Sequence, residues 1–455
     1  MRIVADLHIH SRFARACSKA LTVATLAATA ETKGITVLGT GDFLHPAWRA
    51  ELRRDLQEAE QGLFSFQPAT SNPQPPVVRF VLTTEVSCIY SKGGKVRRVH
   101  HLIFVPSFSA AEQLRAALTK RGAKLASDGR PIIGLDSQDL LKIVLSLGPD
   151  SMLVPAHAWT PWFAVFGSKS GFDTLEECFG ELAGHVSAIE TGLSSDPPMN
   201  WRLSALDSVA LLSNSDAHSL PNLGREANIL EVEKLSYPNI IAAIRNSSPK
   251  KLANNQQQKV DPEAKLLGSS LASALSIGNR IVSTIEFYPE EGMYHFDGHR
   301  ACNIRLEPRE TKKNNGACPK CRLPLTIGVL NRVDQLADRP EGFCPPGAPD
   351  FISLVELDKI IAESLGISSR ASKRVQEEYQ RIARSLGSEL DILMSTPLEE
   401  IARASIPEIA EGIRRVRQRK LTVEPGFDGQ YGVVRIFPKP QGKRQALGRA
   451  QASLL

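Results

Sequence analysis

The stretch "VADLHIHSRF", residues 4–13, places Asp6, His8 and His10 at alternate positions, with only Leu7 and Ile9 between them. In an extended strand, side chains two apart share a face. A carboxylate and two imidazoles then enter one small volume. A core accepts such a set only when every polar atom has a partner, because an unpaired buried group costs about 1–3 kcal/mol. A divalent cation would partner all three. A half-buried strand with a polar outer face would also explain the pattern, and the rest of the chain decides between the two.

Similar sets recur downstream. "TGDFLHP" carries Asp42 and His45, "TTEVSC" carries Glu85, and "VHHLIF" carries His100 and His101. "VPAHAWTPW" adds His157, and "SNSDAHS" adds Asp216 and His218. Each follows or ends an apolar run. One alone reads as a buried histidine bonded to a backbone carbonyl; together they read as donors gathered at successive strand ends. Imidazoles and carboxylates without cysteine suit Zn²⁺, Mn²⁺ or Fe²⁺, and their number suits two or three ions. Glu85, with two oxygens, is the natural bridge. Alternation lets only one of His100 and His101 face the ions.

The chain has 455 residues, too many for one core, so two or three domains are expected. At 42% hydrophobic and 23% charged it is globular in composition, and a net charge of +6 permits nucleic acid as a partner without demanding it. The opening residues carry no signal-like apolar core and no apolar run reaches a membrane span, so a cytoplasmic protein with no membrane contact is expected. The seven cysteines form no regular framework, which points to a reducing compartment and to thiols free to bind metal.

From residue 1 to about 240, β-rich runs alternate with amphipathic stretches, the pattern of a parallel sheet or barrel with its site at the strand C-termini. An Asn/Gln/Ser-rich stretch follows and reads as a linker or insertion. Next comes a compact section holding His299-x-x-Cys302 and Cys318-x-x-Cys321, the spacing of a structural tetrahedral zinc site. Cys344 or His295 could replace His299 as the fourth ligand. Residues 350–420 read as helical, ending in the basic run "GIRRVRQRK" with Arg414 and Arg415.

"DLHIHS", "TTEVSC", "HHLIF", "PAHAWTP" and "NSDAHS" together resemble the polymerase-and-histidinol-phosphatase (PHP) superfamily. The resemblance covers residues 1 to about 230 and implies a distorted (β/α)7 barrel with a trinuclear metal site. The third histidine that many members carry after H-x-H is missing from "SRFARACSK". The usual Thr-Asp-His is replaced by "GDFLH", so Asp42 is the ligand expected there and His45 is left open. "TIGVLNRVDQLADRPEGF", "GSKSGFDTLEECFG" and "ETGLSSDPPMNWRLSALD" narrow the resemblance to endonuclease Q, over nearly the whole chain except about 250–282 and the tail past 436. That family nicks DNA on the 5′ side of deaminated bases (uracil, hypoxanthine, xanthine) and abasic sites.

The resemblance implies an α/β fold in five parts: a PHP metal-dependent catalytic barrel over 1–245, a linker or insertion over 246–285, a zinc-ribbon module over 286–346, a helical DNA-binding domain over 347–435, and a basic, disordered tail over 436–455. It implies a metal-dependent DNA repair endonuclease with two or three divalent ions (Zn, Mn or Mg) in the barrel and one structural Zn. Hydroxide held among His8, His10, Asp42, Glu85, His101 or His100, His157, Asp216 and His218 would attack the phosphodiester. Trp159, Trp162, Phe163 and Phe166 would offer stacking faces for an extruded base, with Ser168, Lys169, Ser170, Asn200, Arg202, Arg225 and Asn228 as contacts to DNA. Arg414 and Arg415 would meet backbone phosphates. Glu190 is a ligand, a base-pocket acceptor or a satisfied strand-end carboxylate. The expected partners are double- or single-stranded DNA with deaminated bases, together with replication or repair proteins, in a cytoplasmic, nucleoid-associated setting. The rival readings are a PHP-type phosphatase acting on a small phosphate ester and a non-catalytic DNA-binding protein.

Overall fold

The computed structural model describes residues 1–67, 78–260 and 278–438. Its first strand, β1 (Arg2–Asp6), is the run that leads into the His-x-His pair. The next segment turns helical because Thr22 and Thr25 cap Val23–Lys33 reciprocally, and Val23, Leu26 and Ala30 share a buried face. The chain returns as β2 (Val37–Gly39), parallel to β1. β3 (Leu56–Glu60) and β4 (Leu63–Phe66) form a side hairpin. β5 (Arg79–Lys92) runs parallel to β2, and β6 (Lys95–Val105) folds back on it across Gly93–Gly94. Both glycines have positive φ, the backbone that a tight two-residue hairpin turn requires.

β7 (Ile132–Ile133) lies parallel to β5, and β8 (Met152–Pro155) antiparallel to β6. β9 (Ala188–Glu190) and β10 (Ala210–Leu212) pair in parallel. The ring then closes through single bonds beyond the strand ends. Ala158 N donates to Glu190 O at 3.0 Å, and His10 N donates to Ala217 O at 3.0 Å. Ala5, Val37, Val81, Leu102, Val154, Ala188 and Leu212, one from each of β1, β2, β5, β6, β8, β9 and β10, belong to one buried apolar cluster. This is the filled interior of a distorted seven-stranded (β/α)7 PHP-type barrel, the distortion coming from the antiparallel β5–β6 and β6–β8 pairings.

β11 (Ala227–Glu231) and β12 (Arg280–Glu286) extend the sheet on the far side of β1. The short hairpin of β13 (Asp297–His299) and β14 (Ile304–Leu306) belongs to the cysteine-bearing module. β15 (Asp350–Ser353) returns to pair with β12 in parallel, so the sheet continues across the module. Five helices follow: Leu357–Ser364, Lys373–Leu386, Glu389–Met394, Leu398–Ala404 and Pro407–Arg417. They bury a seam that includes Ile360, Ile382, Ile392, Ile401 and Ile413. Among the described residues, no helix is long and apolar enough to cross a membrane.

The stretch 246–285 is not a plain linker at either end. Residues Pro249–Val260 are helical and Arg280–Glu286 is β12. Pro at a helix start and the good formers Lys, Leu, Ala and Gln outweigh the Asn content at the first end. Near-continuous burial between β11 and β15 decides the second. Residues 261–277, and 439–455 of the expected tail, lie outside the described residues.

Candidate metal centre

Register decides which side chains reach the C-terminal end of the barrel. In the β5–β6 ladder Ser87 pairs with His100 and Val86 with His101. Glu85 and Ser87 share a face, so His100 joins Glu85 while His101 points to the opposite side. There His101 Nε2 meets Ser137 Oγ at 2.8 Å, and its ring packs near Phe179. His100 is the histidine at the site; His101 is withdrawn from the candidate ligands.

Two donor groups result, and Glu85 belongs to both. His8, His10, Glu85 and Asp216 offer ligand atoms within 4.8 Å of one another, and so do Glu85, His100 and His157. His10 Nε2 lies 3.2 Å from Glu85 Oε2 and 3.1 Å from Asp216 Oδ1. On the other side, Glu85 Oε1 lies 2.7 Å from His100 Nδ1 and 3.1 Å from His157 Nε2. The Nε2 atoms of His8 and His10 and Oδ1 of Asp216 are buried without a hydrogen-bond partner, although they face one another. Buried donors aimed at a common point and left unpaired fit a divalent cation, and their chemistry suits Zn²⁺, Mn²⁺ or Fe²⁺. Asp216 and His157 hold φ of 45° and 31°, left-handed backbone that surrounding structure must sustain.

Behind the donors stand carboxylates that aim them. Burial opposes charge on His10, but Asp42 and then Asp216 and Glu85 outweigh it and hold the imidazole well above its ordinary pKa. Burial likewise opposes charge on His8, and Glu190 and Glu85 overcome it. Asp42, expected as a ligand, has both oxygens engaged. Its Oδ1 meets His10 Nδ1 at 3.0 Å, and its Oδ2 accepts from Ser11 N at 2.6 Å and Ser11 Oγ at 2.7 Å. It fixes the ring of His10 and stands outside both donor groups, a supporting position of the kind that orients metal ligands. Glu190 does the same for His8, with Oε1 3.0 Å from His8 Nδ1 while it accepts from Asn214 Nδ2 at 2.7 Å.

Asp6 does not share the site with His8 and His10. Its oxygens accept from Ser215 N and Gly224 N at 3.1 and 2.9 Å, tying β1 to the loop that carries Asp216. Burial pushes its carboxyl up to about 6. His45 stacks on Phe13, centroids 4.6 Å apart, away from the donors. His218 lies at the rim, 4.6 Å ring to ring from His10, with Nδ1 bonded to Asp216 O at 2.8 Å.

The cysteine section forms a third group. His299, Cys302, Cys318 and Cys321 bring ligand atoms within 4.8 Å, with Cys321 Sγ 3.4 Å from His299 Nδ1. Of the alternatives, Cys344 is exposed and donates to Pro345 O, and His295 is buried against Phe296.

Several residues expected to touch DNA have partners within the fold. Trp159 is fully buried and donates from Nε1 to Asn200 Oδ1 at 2.8 Å, so both are core. Ser170 Oγ donates to Arg98 O and accepts from Phe163 N, and Ser168 Oγ donates to Ile327 O. Asn228 bridges Ser213, Asn214 and Ala5, and Phe166 is core. Arg202 pairs with Asp334. Arg225 holds the Asp216 loop through Ser215 O at 2.9 Å. Arg414 forks onto Glu411 and Arg415 donates to Ile436 O. Apolar neighbours and carbonyls close at hand satisfied these groups, a choice invisible to composition. Lys169 remains exposed, Trp162 packs edge-on to Tyr294, and Phe163 packs on His100 with centroids 4.7 Å apart.

One residue was missed. Arg130 Nη1 donates to Glu85 Oε2 at 3.1 Å from the loop before β7. Its segment, "SDGRP", has no periodicity, so nothing local marks it.

Fold and site together define a PHP-type barrel protein with donor groups suited to divalent cations. Residues 356–420 match the family model described as the MJ0043 C-terminal domain. The crystal structure of the lesion-specific endonuclease PfuEndoQ from Pyrococcus furiosus matches with TM-score 0.78 and 30% identity, covering 100% of both chains. Endonuclease Q in complex with a 27-mer duplex substrate with an abasic lesion at the active site matches equally, TM-score 0.78 and 30% identity, over 98% of this chain and 100% of its own. The chain belongs to the endonuclease Q family. The uncharacterized protein YqxK of Bacillus subtilis is 27% identical over 450 residues, 95% of this chain and 99% of that one. The uncharacterized protein MJ0043 of Methanocaldococcus jannaschii is 28% identical over 290 residues, 62% of this chain; the match spans only 32% of that protein.

Proposed function

We propose that this protein is a divalent-cation-dependent DNA repair endonuclease that hydrolyses the phosphodiester 5′ to a deaminated base or an abasic site. The observation that carries this reading is the division of Glu85 between two donor groups at the strand ends. Phosphodiester hydrolysis is aided by positive charge on both the attacking and the leaving oxygen, and a carboxylate common to two donor groups would serve cations that supply it. Bound divalent cations acidify water and neutralise phosphate charge. The chain's own residues do the rest. With a cation bound, Asp42 and Glu190 would accept from Nδ1–H of His10 and His8 and leave Nε2 to the cation. His157, His100 and Asp216 complete the donor set, with His218 at its edge. Phe163, packed against His100, offers an aromatic face to an extruded nucleotide, and exposed Lys169 a cation to the backbone. The four-ligand His299/Cys302/Cys318/Cys321 group suits one structural zinc that shapes a duplex-gripping module. The lesion substrate is supported by full-length likeness to a lesion-specific endonuclease.

The test is a labelled duplex with one uracil, hypoxanthine or abasic site, incubated with the protein and Mn²⁺ or Mg²⁺. A nick immediately 5′ of the lesion is expected, with none on undamaged duplex and none in EDTA. Cleavage only on the 3′ side, or release of free base, rejects the reading.

A further inference from the structure

Arg130 sits where the donor groups meet, yet no part of the proposed ligand set needs it. Its Nη1 donates to Glu85 Oε2 at 3.1 Å, and that same oxygen faces His10 Nε2 at 3.2 Å. The remaining donors of the guanidinium, Nε–H and the Nη2 pair, have no partner among the described residues. The side chain is about a quarter exposed (26%), so it is not sealed away from solvent. An edge of Nε and Nη2 is the planar fork that takes two oxygens of a phosphate.

The loop that delivers Arg130 is built to hold it. Asp128 Oδ1 accepts from Arg130 N and Arg15 N, both at 3.2 Å, and Gly129 N donates to Phe13 O at 3.2 Å. A Cβ on Gly129 would collide with the Asp42 carboxylate, so the loop lies directly on the group that orients His10. On its other side Ser87 N donates to Pro131 O at 3.0 Å, which sets β7 on β5 two residues beyond Glu85. Ile132 pairs with Ser87 and therefore faces the same side of the sheet as Glu85; it is 56% exposed.

Charge points the same way. A guanidinium beside positions that hold divalent cations is repelled by them unless an anion lies among the three. Here Glu85 is one such anion, and it is shared already. We infer that Arg130 grips a non-bridging oxygen of the scissile phosphate through its free Nε/Nη2 edge, making it a substrate-contacting catalytic residue. This rests on the endonuclease reading above and names the residue that seizes the phosphate within that site.

The test compares the wild type with Arg130→Ala and Arg130→Lys on a lesion duplex with Mn²⁺, and measures binding in EDTA to two duplexes. One duplex carries a normal phosphate 5′ to the lesion, the other a neutral methylphosphonate there. Arg130→Ala is expected to lower kcat/KM by about 10²–10³-fold, with Arg130→Lys recovering part of it. Wild type should bind the phosphate duplex more tightly than the methylphosphonate duplex, and Arg130→Ala should bind both alike. Bound-metal content and melting temperature should not change. A wild type that nicks the lesion duplex beside an Arg130→Ala variant that keeps full kcat/KM overturns this inference alone. So does an Arg130→Ala variant that keeps the preference for phosphate or loses metal, since the arginine would then act only through Glu85. A wild type that nicks no lesion duplex removes the endonuclease reading and this inference with it.

Discussion

His10 shows how one residue's role is divided between its two nitrogens. Nδ1 is held by Asp42 at 3.0 Å, which leaves Nε2 aimed at Glu85 and Asp216. Asp42→Asn keeps the shape and weakens the grip, so metal affinity should fall about 10–100-fold and activity should return when Mn²⁺ is raised. A manganese titration of nicking rate checks this; no recovery would make Asp42 a ligand after all. Glu85→Gln removes the oxygen charge that both donor groups use. Its nicking rate should drop at least about 10²-fold at every metal concentration, read against bound-metal content by elemental analysis. A third residue-scale effect lies under the site. Glu226 and Glu286 are fully buried, each with an oxygen lacking a partner, and burial pushes both carboxyls above the ordinary range. Because the folded state then holds their protons more tightly than the unfolded state, stability falls as pH rises from the ordinary carboxylate range through the raised values. Glu286→Gln should therefore melt higher than wild type at alkaline pH, and the gap should close near pH 4.5. Melting curves from pH 4.5 to 9 test the sign.

At the scale of elements, pairing register does what residue type alone leaves open. The sequence "VHHLIF" offers two adjacent histidines, and the β5–β6 ladder sends one to the donors and the other to Ser137. The same logic holds the cysteine module, whose β13–β14 hairpin carries His299 and Cys302 toward the turn of Cys318 and Cys321. The module is small and leans on that cluster, so Cys318→Ser should release one equivalent of zinc and expose the module to protease. Barrel metal content should stay the same. Zinc release by chromogenic chelator with limited proteolysis checks it. The helix Pro407–Arg417 is the counter-example. Arg414 and Arg415 are expected from the sequence to meet backbone phosphates, and in the fold Arg414 pairs with Glu411 while Arg415 and Arg417 donate to carbonyls of neighbouring segments. A charge run announces cations, not whether they are free.

Across the whole molecule, the helical region and the barrel are joined by a buried polar tie. Lys33, at the end of the first barrel helix, reaches Glu389 Oε2 at 2.9 Å, and Tyr379 donates to the same oxygen at 2.6 Å. Glu389 also accepts from Leu357 N at 3.2 Å. Glu389→Ala would strand the ammonium of Lys33 in a site that is 7% exposed, at a cost of about 3–5 kcal/mol. Denaturant unfolding measures it, and Lys33→Met in the same background should recover part of the loss.

His8, His10, Glu85, His157 and Asp216 were legible in the sequence because their message is local: a donor at the end of an apolar run, or a spacing of two or three residues, survives without coordinates. So was the zinc spacing, and so was the alternation of strand and helix that makes a barrel. The places of Asp6, Asp42, Glu190 and Arg130 were not legible, since each depends on a backbone or side chain far away in the chain. Asp6 meets Ser215 and Gly224, Glu190 meets His8, and Arg130 meets Glu85. Spacing along the chain can say which atoms suit a cation; only the closing of the barrel, which brings distant strand ends together, determines which atoms they meet and which are left free for a ligand.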